Sequence, residues 1–136
     1  MTNFKYSQTS LERLYTCHSD LITICKTAIV ISPIDISVVC GHRDKEAQNK
    51  AYNENRSDFK WPHSMHNQTP SKAVDLAPYI DGRIQWKHEK GLYLIAGLVI
   101  GIGYKLGIKI RWGGAWNGTL NTEFQRKDLY HFEKME

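Results

Sequence analysis

Apolar residues recur at Leu11, Leu14, Leu21, Ile22, Cys25 and Ile29, the spacing of one helix face, and Thr9 with Glu12 reads as a capping box at its start. Pro33 closes this helix. Ile36, Val38 and Val39 then form a short strand that Gly41 interrupts, and Asp44 is placed to cap a short helix carrying Ala47, Gln48 and Tyr52. Residues 53–70 are polar, rich in Asn and Ser, and read as a long loop; such loops in compact domains are usually functional or disordered. Ala73–Ala77 reads as a strand ending at Pro78, and Asp81-Gly82 as a turn. From Trp86 to Leu106 the pattern is a strongly apolar, buried helix. Lys109–Trp112 is a further strand, Gly113-Gly114 a turn, and Leu129–Glu133 a last strand. Helices and strands alternate without a regular βαβ rhythm. The expectation is one α+β domain over residues 1–136, with helices packed on a small antiparallel sheet.

Composition narrows this picture only a little. A chain of 136 residues, 41% hydrophobic and 24% charged, is large enough for its own core and too ordinary for a disordered or fibrous protein. The net charge of +4 favours anionic polymers such as nucleic acid, anionic lipid or an acidic bacterial cell wall, and does not choose among them. Cys17, Cys25 and Cys40 form no CxxC pair and read as buried small hydrophobes of a reducing compartment. The first residues lack the apolar run of a signal peptide, and Leu92 to Gly103 is too short to span a bilayer. The expectation is a protein made soluble, with no stable membrane insertion.

Strand alternation isolates a few polar residues. On Ala73–Ala77, Val74 and Leu76 share one face while Asp75 lies between Ala73 and Ala77 on the other, leaving room above the carboxylate. At the C-terminus Tyr130 and Phe132 share an apolar face, opposite His131 and Glu133. His66 precedes Asp75 by nine positions in the long loop. Two histidines and one carboxylate make a ligand set for catalytic zinc, which uses three protein ligands and keeps a position open. From spacing alone this signal is weak, and the ordinary reading of His66, as of its neighbour His63, is a solvated loop histidine.

The strings Ser64-Met65-His66 and Ser71-Lys72-Ala73-Val74-Asp75 resemble the SxH…(S/G)xAxD signature of the LAS-type zinc peptidases. That family includes D-Ala-D-Ala carboxypeptidases and dipeptidases, and the L-alanyl-D-glutamate peptidases that serve as phage endolysins. Gly41-His42-Arg43 with Gln48 resembles its GxR…Q segment, Arg111-Trp112-Gly113-Gly114 with Trp116 its RWGGDW segment, and Asp128 to Glu133 its closing (D/E)xxHxE. The four motifs stand in the family's order and cover nearly the whole chain. The resemblance implies His66, Asp75 and His131 as zinc ligands, Asp128 as general base and Arg43 as the electrophilic side chain. It also implies Ser64 orienting a ligand by hydrogen bond, and Gln48 supporting Arg43 or the substrate. Trp112 and Trp116 are read either as lining a substrate groove or as core, and Glu133 as a site residue, an ion pair or an exposed carboxylate.

Two features depart from the family or strain the reading. Ala115 stands where the phage enzymes carry an aspartate, and strand parity puts Asp128 on the face opposite His131, so a turn or bulge must bring it round. The implied activity is a zinc-dependent peptidoglycan endopeptidase cutting the L-alanyl–D-glutamate bond: a monomeric endolysin without nucleic-acid partner, made in the host cytoplasm and acting on the wall after release. A D,D-carboxypeptidase or D-Ala-D-Ala dipeptidase would use the same chemistry on another bond. A non-catalytic wall- or nucleic-acid-binding module is the remoter alternative.

Overall fold

The computed structural model describes residues 4–120 and 128–136. The single N-terminal helix expected from periodicity is two helices, α1 (Gln8–Leu14) and α2 (Ser19–Ile31). Ser7, not Thr9, caps α1, its Oγ accepting from the Ser10 N–H at 3.1 Å. The interruption has a non-local cause. Cys17 forms a bridge with Ser71, in which His18 N–H donates to the Ser71 carbonyl (2.8 Å) and Ser71 N–H to that of Thr16 (2.9 Å). Backbone groups that pair with Ser71 cannot also continue a helix.

β1 (Asp35–Cys40) leads to α3 (Lys45–Asn53), whose Asp44 cap accepts from the Ala47 N–H at 2.8 Å, as the sequence predicts. The polar loop that follows is not wholly irregular, since it contains a 3₁₀ turn at Met65–Asn67. β2 (Ala73–Ile80) runs on past Pro78 and forms a hairpin with β3 (Arg83–Ile84) across Asp81 and Gly82, both at positive φ. α4 spans Glu89–Leu106, later than the Trp86 start expected, and β4 (Ile110–Gly113) and β5 (Asp128–Lys134) complete the fold.

The sheet is antiparallel with strand order β1-β2-β5-β4, and β3 pairs at the edge of β2. Leu21 and Ile24 of α2, with Ile95 and Val99 of α4, close over Val38, Val74, Leu76 and Phe132 of the sheet to form the core. Each such fully buried branched or aromatic side chain contributes about 1.5–3 kcal/mol from removal of apolar surface from water. Among the described residues no helix is long and apolar enough to cross a membrane. This core occupies one face of the sheet, and strand alternation therefore turns Asp75, His131 and Glu133 to the other.

Candidate metal centre

Register brings three polar residues into one row. Cys40 of β1 and His131 of β5 both pair with Asp75 of β2, the central strand between them. His131 Nδ1 lies 3.1 Å from Asp75 Oδ1, and His66 Nε2 lies 3.2 Å from the same oxygen. His66, Asp75 and His131 are buried, and Cys40 is partly so.

His66 reaches this point from outside the sheet, on the 3₁₀ turn. Ser64 caps the turn: its Oγ accepts from the His66 N–H (3.2 Å) while Asn67 Oδ1 accepts from the Ser64 N–H (3.0 Å). The other ring nitrogen, Nδ1, is 2.7 Å from the Gly41 carbonyl. A carbonyl can only accept, so Nδ1 carries the proton and Nε2 is left to face Asp75. Gly41 has to be glycine there, because a Cβ would overlap the Arg13 carbonyl and the Thr16 hydroxyl. His131 is held in the mirror sense. Its Nε2 is 2.9 Å from Glu133 Oε1, leaving Nδ1 toward Asp75.

Arg43 comes from the segment just after β1. Its N–H donates to the His66 carbonyl at 2.8 Å, and its Nη2 sits 3.8 Å from Asp75 Oδ2 and 3.6 Å from Cys40 Sγ. Nη1 donates to Gln48 Oε1 at 3.0 Å. Gln48 is fully buried and uses its whole amide: Oε1 also accepts from Asn67 Nδ2 (3.1 Å), and Nε2 donates to Ser57 Oγ (2.9 Å) and the Phe59 carbonyl (2.6 Å). Gln48 thus joins the Arg43 guanidinium to the turn that carries His66.

The charges are tightly coupled. Burial alone would lower the His66 pKa, yet the Asp75 carboxylate and the contact with Cys40 push it up to about 10. Burial opposes the charge on His131 too, and its hydrogen bonds to Asp75 and Glu133 push it up to about 9. Burial disfavours the Asp75 anion, but the two imidazoles hold it well below the usual carboxylate range. Two imidazoles and one buried carboxylate thus shift one another's proton affinities in opposite directions.

A family model for phage L-alanyl-D-glutamate peptidases matches residues 1–135. The chain belongs to the phage L-alanyl-D-glutamate peptidase family. It is 32% identical over 128 residues to the L-alanyl-D-glutamate peptidase of Escherichia phage T5, covering 91% of each chain. Its fold is similar to that of the Serratia marcescens L-Ala D-Glu endopeptidase ChiX, with a TM-score of 0.76 and 26% identity over 96% of this chain and 90% of that one. These likenesses support a peptidoglycan endopeptidase.

Within this member of the phage peptidase family, the donor chemistry fits a divalent ion of zinc type. Two imidazole nitrogens with proton-free alternatives and one carboxylate oxygen converge, and each ring's remote nitrogen is already bonded to a fixed acceptor. Cys40, His66 and Asp75 also form a group able to hold a metal ion, their donor atoms lying within 4.8 Å of one another. The two sets share His66 and Asp75. Cys40 Sγ lies 3.7 Å from His66 Nδ1, the nitrogen that meets the Gly41 carbonyl.

Other expected residues fall in different places. Arg43 is mostly buried beside Asp75. Asp128 heads β5. Trp112 pairs with Phe132 while the next residue, Gly113, pairs with Asp128, so β5 carries a bulge over residues 129–131. Trp112 does not line a groove. It is buried, its indole N–H donating to the Leu129 carbonyl at 2.7 Å and its ring packing edge-on against Tyr93. The tryptophan beside the site is Trp116, with its ring 5.5 Å from that of His131. Ala115, in place of the family aspartate, packs against the core.

Sequence reasoning missed Cys40, which is not a core cysteine like Cys17 and Cys25, and the Gly41 carbonyl. It also left Glu133 open. That residue is buried and joins His131 to Arg111. The parity of His131 and Glu133 was the available signal for Glu133; nothing local announced Cys40.

Proposed function

We propose that this chain is a zinc-dependent endopeptidase that hydrolyses the L-alanyl–D-glutamate bond of peptidoglycan stem peptides, acting as a monomer on the bacterial cell wall. The observation that carries this reading is the convergence of His66 Nε2 and His131 Nδ1 on one oxygen of Asp75. His66, Asp75 and His131 would hold the ion. Zinc, when bound, supplies Lewis acidity toward water and the scissile carbonyl.

The remaining work falls to the protein's own groups. Asp128 takes a proton from the attacking water and passes it to the departing amine, a role that typically contributes about 10²–10⁴-fold in rate. The always-charged guanidinium of Arg43, held by Gln48, stabilises negative charge as it develops on the carbonyl oxygen. Ser64 fixes the turn that presents His66. The net charge of +4 draws the enzyme toward an anionic polymer.

The test is digestion of purified peptidoglycan with mass-spectrometric identification of products, with and without a chelator. Fragments with a new amino terminus on glutamate, lost on chelation and restored by zinc, are expected. Release of terminal D-alanine alone would overturn the bond assignment. Asp128→Ala should keep its zinc and lose about 10²–10⁴-fold of the rate; if it loses the metal instead, Asp128 is not the base.

A further inference from the structure

Beyond the ligands lies a charged chain that the proposed mechanism does not use. Arg111 on β4 and Glu133 on β5 are register partners. Arg111 directs Nη2 (2.7 Å) and Nε (3.2 Å) at the same oxygen, Oε2, while the other oxygen, Oε1, meets His131 Nε2 at 2.9 Å. Glu133 is buried, and Arg111 remains partly exposed with its guanidinium 5.6 Å over the Trp116 ring. Trp116 in turn lies against His131.

We infer that Arg111 is a positioning residue for the metal ligand His131, acting through Glu133; the inference rests on the zinc reading given above. An ionised carboxylate can only accept hydrogen bonds. Glu133 Oε1 accepts from His131 Nε2, which leaves Nδ1 as the ring nitrogen that faces Asp75. Arg111 meets the other oxygen of that carboxylate from the neighbouring strand, its Nη2 2.7 Å from Oε2. Its two N–H donors hold Oε2 in place, so that with Oε1 on His131 both carboxylate oxygens are anchored. A lysine would supply the charge as a point, without that fork.

The experiment uses zinc-affinity measurement by chelator competition, together with the visible spectrum of the cobalt-substituted protein, on wild type, Arg111→Met, Arg111→Lys and Glu133→Gln. Arg111→Met and Glu133→Gln are expected to bind zinc about 10–100-fold more weakly, the range typical when a partner of a metal-bound histidine is lost. Their cobalt bands should shift, and Arg111→Lys should fall between them and wild type. If Arg111→Met fails to fold, Glu133→Gln carries the same readouts. Wild-type affinity and an unchanged cobalt spectrum in folded Arg111→Met, or in Glu133→Gln where that variant stands in for it, overturn the inference and leave the zinc reading intact. Wild-type protein that binds no zinc overturns both.

Discussion

Asp75 and His131 are cross-strand partners on β2 and β5, and the imidazole Nδ1 stands 3.1 Å from the carboxylate Oδ1. His66 closes on the same oxygen from the 3₁₀ turn, so a single carboxylate is the hub of the site. Asp75→Asn removes that charge while keeping the shape. It is expected to weaken zinc binding by more than the ~10–100-fold seen when only an outer partner is lost. The check is zinc per chain after dialysis, by elemental analysis; full occupancy at the wild-type affinity would remove Asp75 from the ligand set.

Metal binding should release protons. The pKa values of about 10 for His66 and about 9 for His131 lie above the ordinary value of 6.5, so both imidazoles are protonated in metal-free protein at pH 7. Each must lose its proton before its nitrogen can ligate. The sign follows: apparent zinc affinity rises with pH from about 7 to about 9–10 and then levels. Calorimetry at pH 7 in buffers of different ionisation enthalpy should report close to two protons released per ion. No dependence of the heat on buffer would contradict the charged pair.

Gln48→Leu tests the strut between Arg43 and the His66 turn. The Arg43 and Asn67 donors lose their shared acceptor in a buried setting. A loss of about 2–6 kcal/mol is expected, since each of the two buried donors left unsatisfied costs about 1–3 kcal/mol. Urea unfolding measures it. Activity should fall further than the residual folded fraction explains, because the guanidinium is no longer held in place.

Gly113→Ala tests the bulge at the head of β5. A methyl there would overlap the Asp128 backbone, so the strand must move, at about 1–3 kcal/mol. The hydrolytic rate on purified peptidoglycan should fall, since Asp128 is the residue that the methyl displaces. Gly97→Ala is the contrasting control. It sits on the exposed side of α4 with nothing within 4 Å, and should stabilise by about 0.5–1 kcal/mol.

Much of this protein was legible without coordinates because it is local. The Asp44 cap, the strands around Val38 and Asp75, and the apolar helix ending near Leu106 follow from periodicity and side-chain chemistry within a few residues. The ordered motifs around Arg43, Ser64, Asp75 and His131 pointed to the family that the comparisons show. What tertiary structure alone decided is who stands beside whom. The break between α1 and α2 comes from a bridge to Ser71, more than fifty residues away in the chain. Cys40 reaches the site because β1 pairs with β2, Trp112 is core while Trp116 is not, and Glu133 becomes a link because Arg111 is its partner on β4. Hydrophobic alternation says which face a side chain takes. Only strand register, set by the packing of the whole sheet, says which neighbours it meets there.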